Sequence, residues 1–147
     1  MGMLLLVVFF ADLWFGVIPD LINLLVLGLA LVYRIVLVTM GEMKIIDFEL
    51  AIIAGLVLYL IFYLLVYITK GKGFGLGDVK LAPGLGLLLG WQKTIILWFV
   101  SFILGSLVAL VLLALRKKSM KQTIPFGPFL VIGTGIALLW GDKIWLW

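Results

Sequence analysis

Long apolar stretches separated by short polar ones make up most of the chain. Six stretches stand out, and they cover residues 1–15, 21–40, 50–69, 79–91, 94–115 and 124–140. A helix needs about 20 apolar residues to cross a ~30 Å hydrocarbon core, and the second, third and fifth stretches reach that length. The first and fourth are shorter, with about 14 residues or ~21 Å of helix. The pattern predicts an all-α polytopic membrane bundle of about six transmembrane helices, two of them short.

The composition supports a membrane protein. Hydrophobic residues make up 66% of the chain, charged residues only 12%, and the mean hydropathy is +1.38. A soluble domain must cover itself with polar side chains, and this chain has too few of them. Its 147 residues suit a single membrane-embedded domain, 1–147. Residues 1–10 lack the basic segment and the small-residue cleavage site of a signal peptide, so we interpret them as part of the first span.

Lysines and arginines are distributed unequally between the two sides of the membrane. The side that joins stretches one to two, three to four and five to six carries seven of them, and the other side carries four. The seven are Lys70, Lys72, Lys80, Arg116, Lys117, Lys118 and Lys121. The positive-inside rule places that side in the cytoplasm and the N-terminus outside. Because this topology explains the net charge of +4, we expect contact with membrane lipid and none with nucleic acid.

The chain contains no cysteine and no histidine. Zinc sites built from Cys and His are therefore excluded, as are Ser-His-Asp triads, cysteine nucleophiles and imidazole bases. Hydrolytic chemistry would have to use carboxylates, hydroxyls or lysines.

The strongest local signal is the segment 73–81, which reads GFGLGDVKL. Three alternate glycines precede Asp78, which stands at the start of an apolar helix. Glycine permits close backbone approach, as an extended peptide beside a catalytic acid would require, so Gly75 and Gly77 are candidates for substrate binding or loop geometry. The alternative is a glycine loop closed by Asp78 as a helix N-cap, which needs no catalytic role.

A second acid, Asp12, interrupts the first apolar stretch. An acid near the bilayer centre costs on the order of 2.5–3.5 kcal/mol on insertion scales, which makes it a functional candidate. Its alternative role is that of a solvated acid at the membrane surface. Asp20, beside Pro19 at the start of the second stretch, is interpreted as a structural residue. Because both short stretches adjoin a candidate acid, we expect Asp12 and Asp78 to line a wet cavity on one side of the membrane.

Two carboxylates that lie close together suggest a mechanism. Both cannot ionise easily, so they share a proton, as in aspartic proteases. The charged carboxylate then takes a proton from water while the protonated one donates to the peptide carbonyl. The product of this step is a tetrahedral diol, without a covalent enzyme intermediate.

Three motifs together resemble the bacterial type IV prepilin peptidases, which belong to the GxGD aspartyl membrane proteases. Residues 75–81 resemble the GxGD signature, and residues 12–20 resemble the first aspartate motif. Residues 124–130, IPFGPFL, resemble a late Pro-Phe-Gly-Pro-Phe stretch. In that stretch Pro125, Gly127 and Pro128 are predicted to line the cavity, with a purely structural turn as the alternative.

The resemblance implies catalytic roles for Asp12 and Asp78. It also implies cleavage of the short basic leader of type IV prepilins or pseudopilins at the cytoplasmic face of the bacterial inner membrane. No cofactor or metal is expected for the peptidase step. Many family members also methylate the new N-terminus with S-adenosylmethionine. Family members usually carry an N-terminal region, often with a cysteine tetrad, before the peptidase core. Here there is no cysteine and Asp12 lies near the start, as expected for a natural short form or for the peptidase core of a longer protein, so the expectation of methyl transfer stays open.

Two other classes of protein fit parts of the pattern. A protease resembling presenilin or signal peptide peptidase shares GxGD, but such enzymes usually carry a Pro-Ala-Leu motif, where this chain has Ala82-Pro83-Gly84. A non-enzymatic transport or assembly protein would also tolerate two intramembrane acids. The order of the three motifs favours the prepilin peptidase.

Overall fold

The computed structural model describes residues 2–71, 75–115 and 125–146, and all regular secondary structure in these ranges is helical. The helices are α1 Gly2–Phe15, α2 Asp20–Thr39, α3 Ile45–Thr69, α4 Leu76–Ala114 and α5 Gly127–Trp145. Three segments are long and apolar enough to cross a membrane, namely Asp20–Thr39, Ile45–Thr69 and Leu76–Leu112, and α1 is a shorter apolar helix. The prediction of an all-α membrane bundle is confirmed.

The predicted start of the third stretch was wrong. Helix α3 begins at Ile45, earlier than the predicted residue 50, and its first turns contain Asp47 and Glu49. Helix α4 covers both the fourth and the fifth apolar stretch, and its helical geometry is interrupted between them, within a few residues of the predicted gap. Residues 72, 116–118, 121 and 124, which entered the charge count and the late motif, lie outside the described residues.

Helix α4 is broken at Gly90, whose φ of 76° and ψ of 175° are not helical. Such a backbone conformation strains any residue with a Cβ. The break separates a first arm, residues 76–89, from a second arm, residues 91–114. Pro83 lies inside the first arm, so the interruption does not occur at the proline of this helix.

Contacts show that the two arms of α4 run in opposite directions. The second arm is antiparallel to α5, because Lys93 pairs with Asp142 at 2.8 Å near the end of α5 and Gly105 faces Phe126 at its start. The first arm is parallel to α2: Gly77 contacts Ile18 just before α2, and Arg34 near the end of α2 reaches Leu87. Helix α4 is therefore a hairpin that turns at Gly90.

The bundle thus has two ends. We call the end with Asp12, Asp20, Asp78 and Gly127 the aspartate end. The end with Arg34, Gly90 and Asp142 is the hairpin end. Helices α2 and α5 and the first arm of α4 all begin at the aspartate end, as the predicted alternation of the loops requires.

Arg34 holds the hairpin together. Its Nε donates to the Leu87 carbonyl at 2.8 Å and its Nη2 donates to the Leu88 carbonyl at 3.1 Å. A helix leaves its last carbonyls without partners, and the guanidinium group satisfies two of them here. From the sequence, Arg34 counts only as a loop charge on the outer side, but it lies inside α2 and is buried.

Apolar side chains cover the outside of the bundle. Leu24, Leu64 and Leu107 are each more than half exposed. The buried polar or charged residues are Asp12, Asn23, Arg34, Asp78, Thr94, Ser101 and Thr134. Apolar exteriors with polar interiors suit solvation by lipid, and polar groups inside such a bundle are expected to have functional or structural partners.

Helices α3 and α4 touch through their backbones at Gly55 and Gly86. A Cβ added to Gly86 would lie 2.5 Å from the Cα of Gly55. Small residues that allow this approach are typical of helix contacts in membranes. Gly135 in α5 differs, because a Cβ there would meet nothing within 4 Å.

These two glycines give a matched test of the α3–α4 contact. We expect Gly86→Ala to lower the stability by about 1–3 kcal/mol, because the new methyl group must push two backbones apart. Gly135→Ala should leave stability unchanged or raise it by up to about 1 kcal/mol, since alanine favours the helix and has room. Thermal unfolding of both variants in detergent measures the difference. Equal melting temperatures would contradict the backbone contact.

Candidate active site

Asp78 lies in the first turn of α4 and bonds back to the residue before the helix. Its Oδ2 accepts a hydrogen bond from the Gly75 N–H at 3.2 Å, and its own N–H donates to the Gly75 carbonyl at 3.2 Å. An acid at the third helical position that reaches back to the N-cap N–H forms half of a capping box. The sequence pattern predicts Asp78 as the N-cap itself, which is wrong because α4 already begins at Leu76.

This capping uses only one oxygen of the carboxyl group. Oδ1 of Asp78 is buried and has no hydrogen-bond partner among the described residues. Helix capping therefore explains the position of Oδ2 of Asp78, but it gives no role to Oδ1. An oxygen held in place and left unpaired is available to a substrate or to water.

The two candidate glycines shape the start of α4. Gly75 supplies the N–H that holds Asp78. A Cβ on Gly77 would lie 3.1 Å from the Cβ of Ile18, so the first turn of α4 lies against the segment that connects α1 to α2. Both glycines serve the geometry of the loop.

The carboxyl group of Asp12 is held by the first residue of α5. Its Oδ2 accepts a hydrogen bond of 2.8 Å from the Gly127 N–H, across 115 positions of sequence. Gly127 is the first residue of α5, so its N–H has no acceptor within the helix, and the positive end of the helix dipole faces the carboxylate. A Cβ on Gly127 would lie 2.6 Å from that oxygen, so only glycine permits this contact.

The late proline motif builds the start of α5. Pro128 occupies the first turn, where the missing proline N–H costs no helical hydrogen bond, and it is buried. Pro125 is partly buried just before the helix. The structure therefore brings Gly127 to Asp12, while Pro125 and Pro128 set the path of the backbone that presents it.

Asp12 and Asp78, which come from different helices, meet at the aspartate end. Asp12 lies against the start of α5 and Asp78 in the first turn of α4, and both of these helix starts are at the aspartate end. Asp12 is 6% exposed and Asp78 is 2% exposed. The alternative role of Asp12 as a solvated surface acid is therefore wrong. The first turns of α4 and α5 lie against these side chains through Gly75 and Gly127.

The neighbouring charges face away from this pair. Lys80 forms an ion pair of 2.7 Å with Asp20, and both side chains are at least half exposed. Asp20 begins α2, which agrees with its predicted structural role. Lys80 extends to the surface and does not approach the two buried carboxylates.

A cavity of about 940 Å³ lies at the hairpin end. Its lining includes Tyr33, Arg34, Glu42 and Trp91, and neither Asp12 nor Asp78 contributes to it. In the described part of the chain no three acidic side chains gather into a group that could hold a metal ion. Two carboxylates can accept a proton from water and donate one to a carbonyl group.

One buried polar residue near the aspartates is missed by sequence reasoning. Asn23 lies in the first turns of α2 and is 5% exposed. Its signal in the sequence is a polar residue inside the apolar stretch 21–40, the same kind of signal that identifies Asp12. An amide costs less to bury than a carboxylate, which makes the signal weaker.

Comparison with known proteins finds a matching family model, the type IV leader peptidase family, over residues 1–110. The matched region contains both aspartates and ends before the proline motif. No solved structure matches the chain significantly.

Curated relatives agree with the family match. A prepilin leader peptidase/N-methyltransferase of Aeromonas hydrophila is 36% identical over 94% of this chain and 47% of its own length. The protein of the same name from Legionella pneumophila is 35% identical over 94% of this chain and 47% of its own length. The one from Pseudomonas putida is 41% identical over 65% of this chain and 33% of its own. The chain thus spans about half the length of the first two relatives and a third of the length of the last.

Proposed function

Because this chain belongs to the type IV leader peptidase family, we propose that it is a membrane aspartic endopeptidase that removes the basic leader of type IV prepilins or pseudopilins. Asp12 and Asp78 form its catalytic dyad. The observation that carries the proposal is that two buried carboxylates from different helices lie at the same end of an apolar bundle.

The dyad would hydrolyse the peptide bond by activating water. One carboxylate takes a proton from water, whose oxygen attacks the scissile carbonyl carbon, while the other donates a proton to the carbonyl oxygen. The resulting diol collapses as the ionised carboxylate takes a proton from one of its hydroxyl groups, the C–N bond breaks, and the protonated carboxyl group gives its proton to the leaving amine. The dyad then again holds one proton. The unpaired Oδ1 of Asp78 is the oxygen best placed to contact water or substrate, because Oδ2 is already bound to Gly75.

The rest of the site would hold the dyad in position. The N-termini of α4 and α5 favour negative charge beside Asp78 and Asp12. Gly75, Gly77, Pro125, Gly127 and Pro128 contribute to this geometry, and no cofactor enters the peptidase step. We restrict the proposal to proteolysis, although the relatives' names include methyl transfer.

The proposed location is the bacterial inner membrane, with the aspartate end at the cytoplasmic face and the N-terminus outside. Support comes from the positive charge predicted on that side, of which Lys70 and Lys80 lie among the described residues. A prepilin leader is basic and would lie in the cytoplasm, so its junction with the apolar stem would meet the dyad at the membrane surface.

The test is incubation of the detergent-purified protein with a prepilin, followed by mass analysis of the new N-terminus. Cleavage at the junction of leader and stem supports the proposal. A parallel reaction with S-adenosylmethionine reports methyl transfer as the mass of one added methyl group. Cleavage of a transmembrane signal-peptide remnant in place of the prepilin would favour the presenilin-like alternative.

Gly127→Ala tests the support of Asp12. We expect kcat/KM for leader cleavage to fall at least about tenfold, because the new methyl group would displace a catalytic carboxylate, and small misplacements at a reacting centre cost up to about a hundredfold. Gly135→Ala, in the same helix but without neighbours, is the control and should cleave normally. Full activity of Gly127→Ala would contradict the role of this contact.

A further inference from the structure

The side-chain amide of Asn23 is buried without a partner. Neither Nδ2 nor Oδ1 has a hydrogen bond among the described residues, although the residue is 95% buried, with 5% of its surface exposed. A buried, unsatisfied polar group costs about 1–3 kcal/mol, and more apolar residues would fit a membrane helix better. The amide therefore does not stabilise the fold, and a bound ligand would explain it.

Contacts along α2 fix the depth of Asn23 relative to the dyad. Because α2 runs parallel to the first arm of α4, Asp20 pairs with Lys80 and Val26 contacts Gly84. Asn23 is thus level with residues 80–84, about one helical turn or ~5 Å deeper in the bundle than Asp78.

The side chain of Asn23 also faces the interior. It shares the buried face of α2 with Val26, Ala30 and Arg34, at the spacing of one helical face. Asp78 lies on the buried side of the first arm of α4. An unpaired amide therefore lies inside the bundle, one turn deeper than the dyad.

We propose that Asn23 binds the main chain of the substrate's apolar stem, just after the scissile bond. This inference rests on the proposed function: with the leader in the cytoplasm and the bond at the dyad, the stem continues deeper, to the level of Asn23. An extended backbone in an apolar site needs partners for its N–H and C=O groups. A carboxamide offers a donor and an acceptor on one side chain, as recognition of an extended peptide requires.

Asn23→Leu separates this role from a structural one. Leucine is of similar size and removes the unpaired amide, so the variant should be at least as stable as the wild type in thermal unfolding. Its kcat/KM for prepilin cleavage should fall about tenfold, the effect of one or two lost hydrogen bonds to substrate. Thr134→Val is the control. It removes a buried hydroxyl that donates a hydrogen bond within α5, and the variant should cleave prepilin normally. Loss of stability together with activity in Asn23→Leu would overturn the proposal.

A modified substrate makes the test specific to the backbone. Prepilin peptides with an ester in place of the first or second amide of the stem lack one main-chain N–H. One of these esters should replace the N–H that Asn23 binds. We expect that ester to slow cleavage by the wild type severalfold and to have little effect on cleavage by Asn23→Leu, which already lacks the hydrogen-bonding amide. Equal slowing in both proteins, or normal cleavage by Asn23→Leu, overturns the role of Asn23 while the dyad stands. Absence of cleavage by the wild type overturns both.

Discussion

Asp78→Asn and Asp12→Asn are each expected to abolish leader cleavage while the bundle stays folded. Each change removes a group that must gain or lose a proton, and general acid–base catalysis contributes about 10²–10⁴-fold. We therefore expect kcat/KM to fall at least about a hundredfold in either variant. Quantitative cleavage of a prepilin by purified protein measures the loss.

The fold should tolerate both changes. Asparagine keeps a carbonyl oxygen that can accept the hydrogen bond from Gly127 or from Gly75. The unfolding temperature in detergent should therefore stay close to that of the wild type, which separates loss of chemistry from loss of structure.

Asp20→Asn is the matched control for the dyad. It makes the same substitution at the same end of the bundle, but on an exposed side chain that pairs with Lys80. An exposed ion pair is worth about 0–1 kcal/mol, so cleavage and stability should both be retained. Normal cleavage by Asp12→Asn or Asp78→Asn would remove that residue from the mechanism.

The double variant Asp12→Asn/Asp78→Asn is expected to be no worse than either single one. When two residues act as a unit, removing either one removes the contribution of both, so the losses in kcat/KM of the single variants do not add. Additive losses would indicate that the two acids act in separate steps.

The sequence identifies the two aspartates because an acid inside an apolar stretch is rare and costly. It does not bring them together, since their meeting depends on packing between helices that are distant in the chain. The contact between Gly127 and Asp12 cannot be predicted from the sequence for the same reason. A glycine beside prolines indicates a turn, but only the fold shows which side chain approaches it.

The break in α4 illustrates a second limit. Gly84, Gly86 and Gly90 look alike in the sequence, and small residues in an apolar helix are typical of close helix packing. Gly84 and Gly86 do lie against neighbouring helices. Gly90 instead turns the chain, because the partner that stabilises the turn, Arg34, belongs to another helix. A single sequence gives no sign of that pairing.

Arg34→Leu is expected to destabilise the protein strongly, by about 3–5 kcal/mol. Two hydrogen bonds to the carbonyls of Leu87 and Leu88 would be lost. Hydrogen bonds to charged groups contribute about 1.5–3 kcal/mol each, and leucine offers no donor in place of the guanidinium group. Thermal unfolding in detergent measures the loss, and a large fall in melting temperature is the expected result.

Arg34→Lys should recover only part of that stability. A lysine carries a single nitrogen at the end of a flexible stem, whereas the planar guanidinium group reaches both carbonyls at once. Asp142→Asn is the control at the same end of the bundle. This substitution breaks the ion pair with Lys93. The Asp142 side chain is 79% exposed, so the free energy of unfolding should fall by less than about 1 kcal/mol.

The same variant links the hairpin to the active site. Asp78 lies at the start of the first arm of α4, and Arg34 fixes the other end of that arm against α2. Loosening the hairpin would let the arm shift along α2, so Arg34→Leu should also lower kcat/KM at temperatures where it is still folded, because reacting groups tolerate little displacement. A variant that is much less stable but cleaves normally below its melting temperature would show that the hairpin end stabilises the bundle without positioning Asp78.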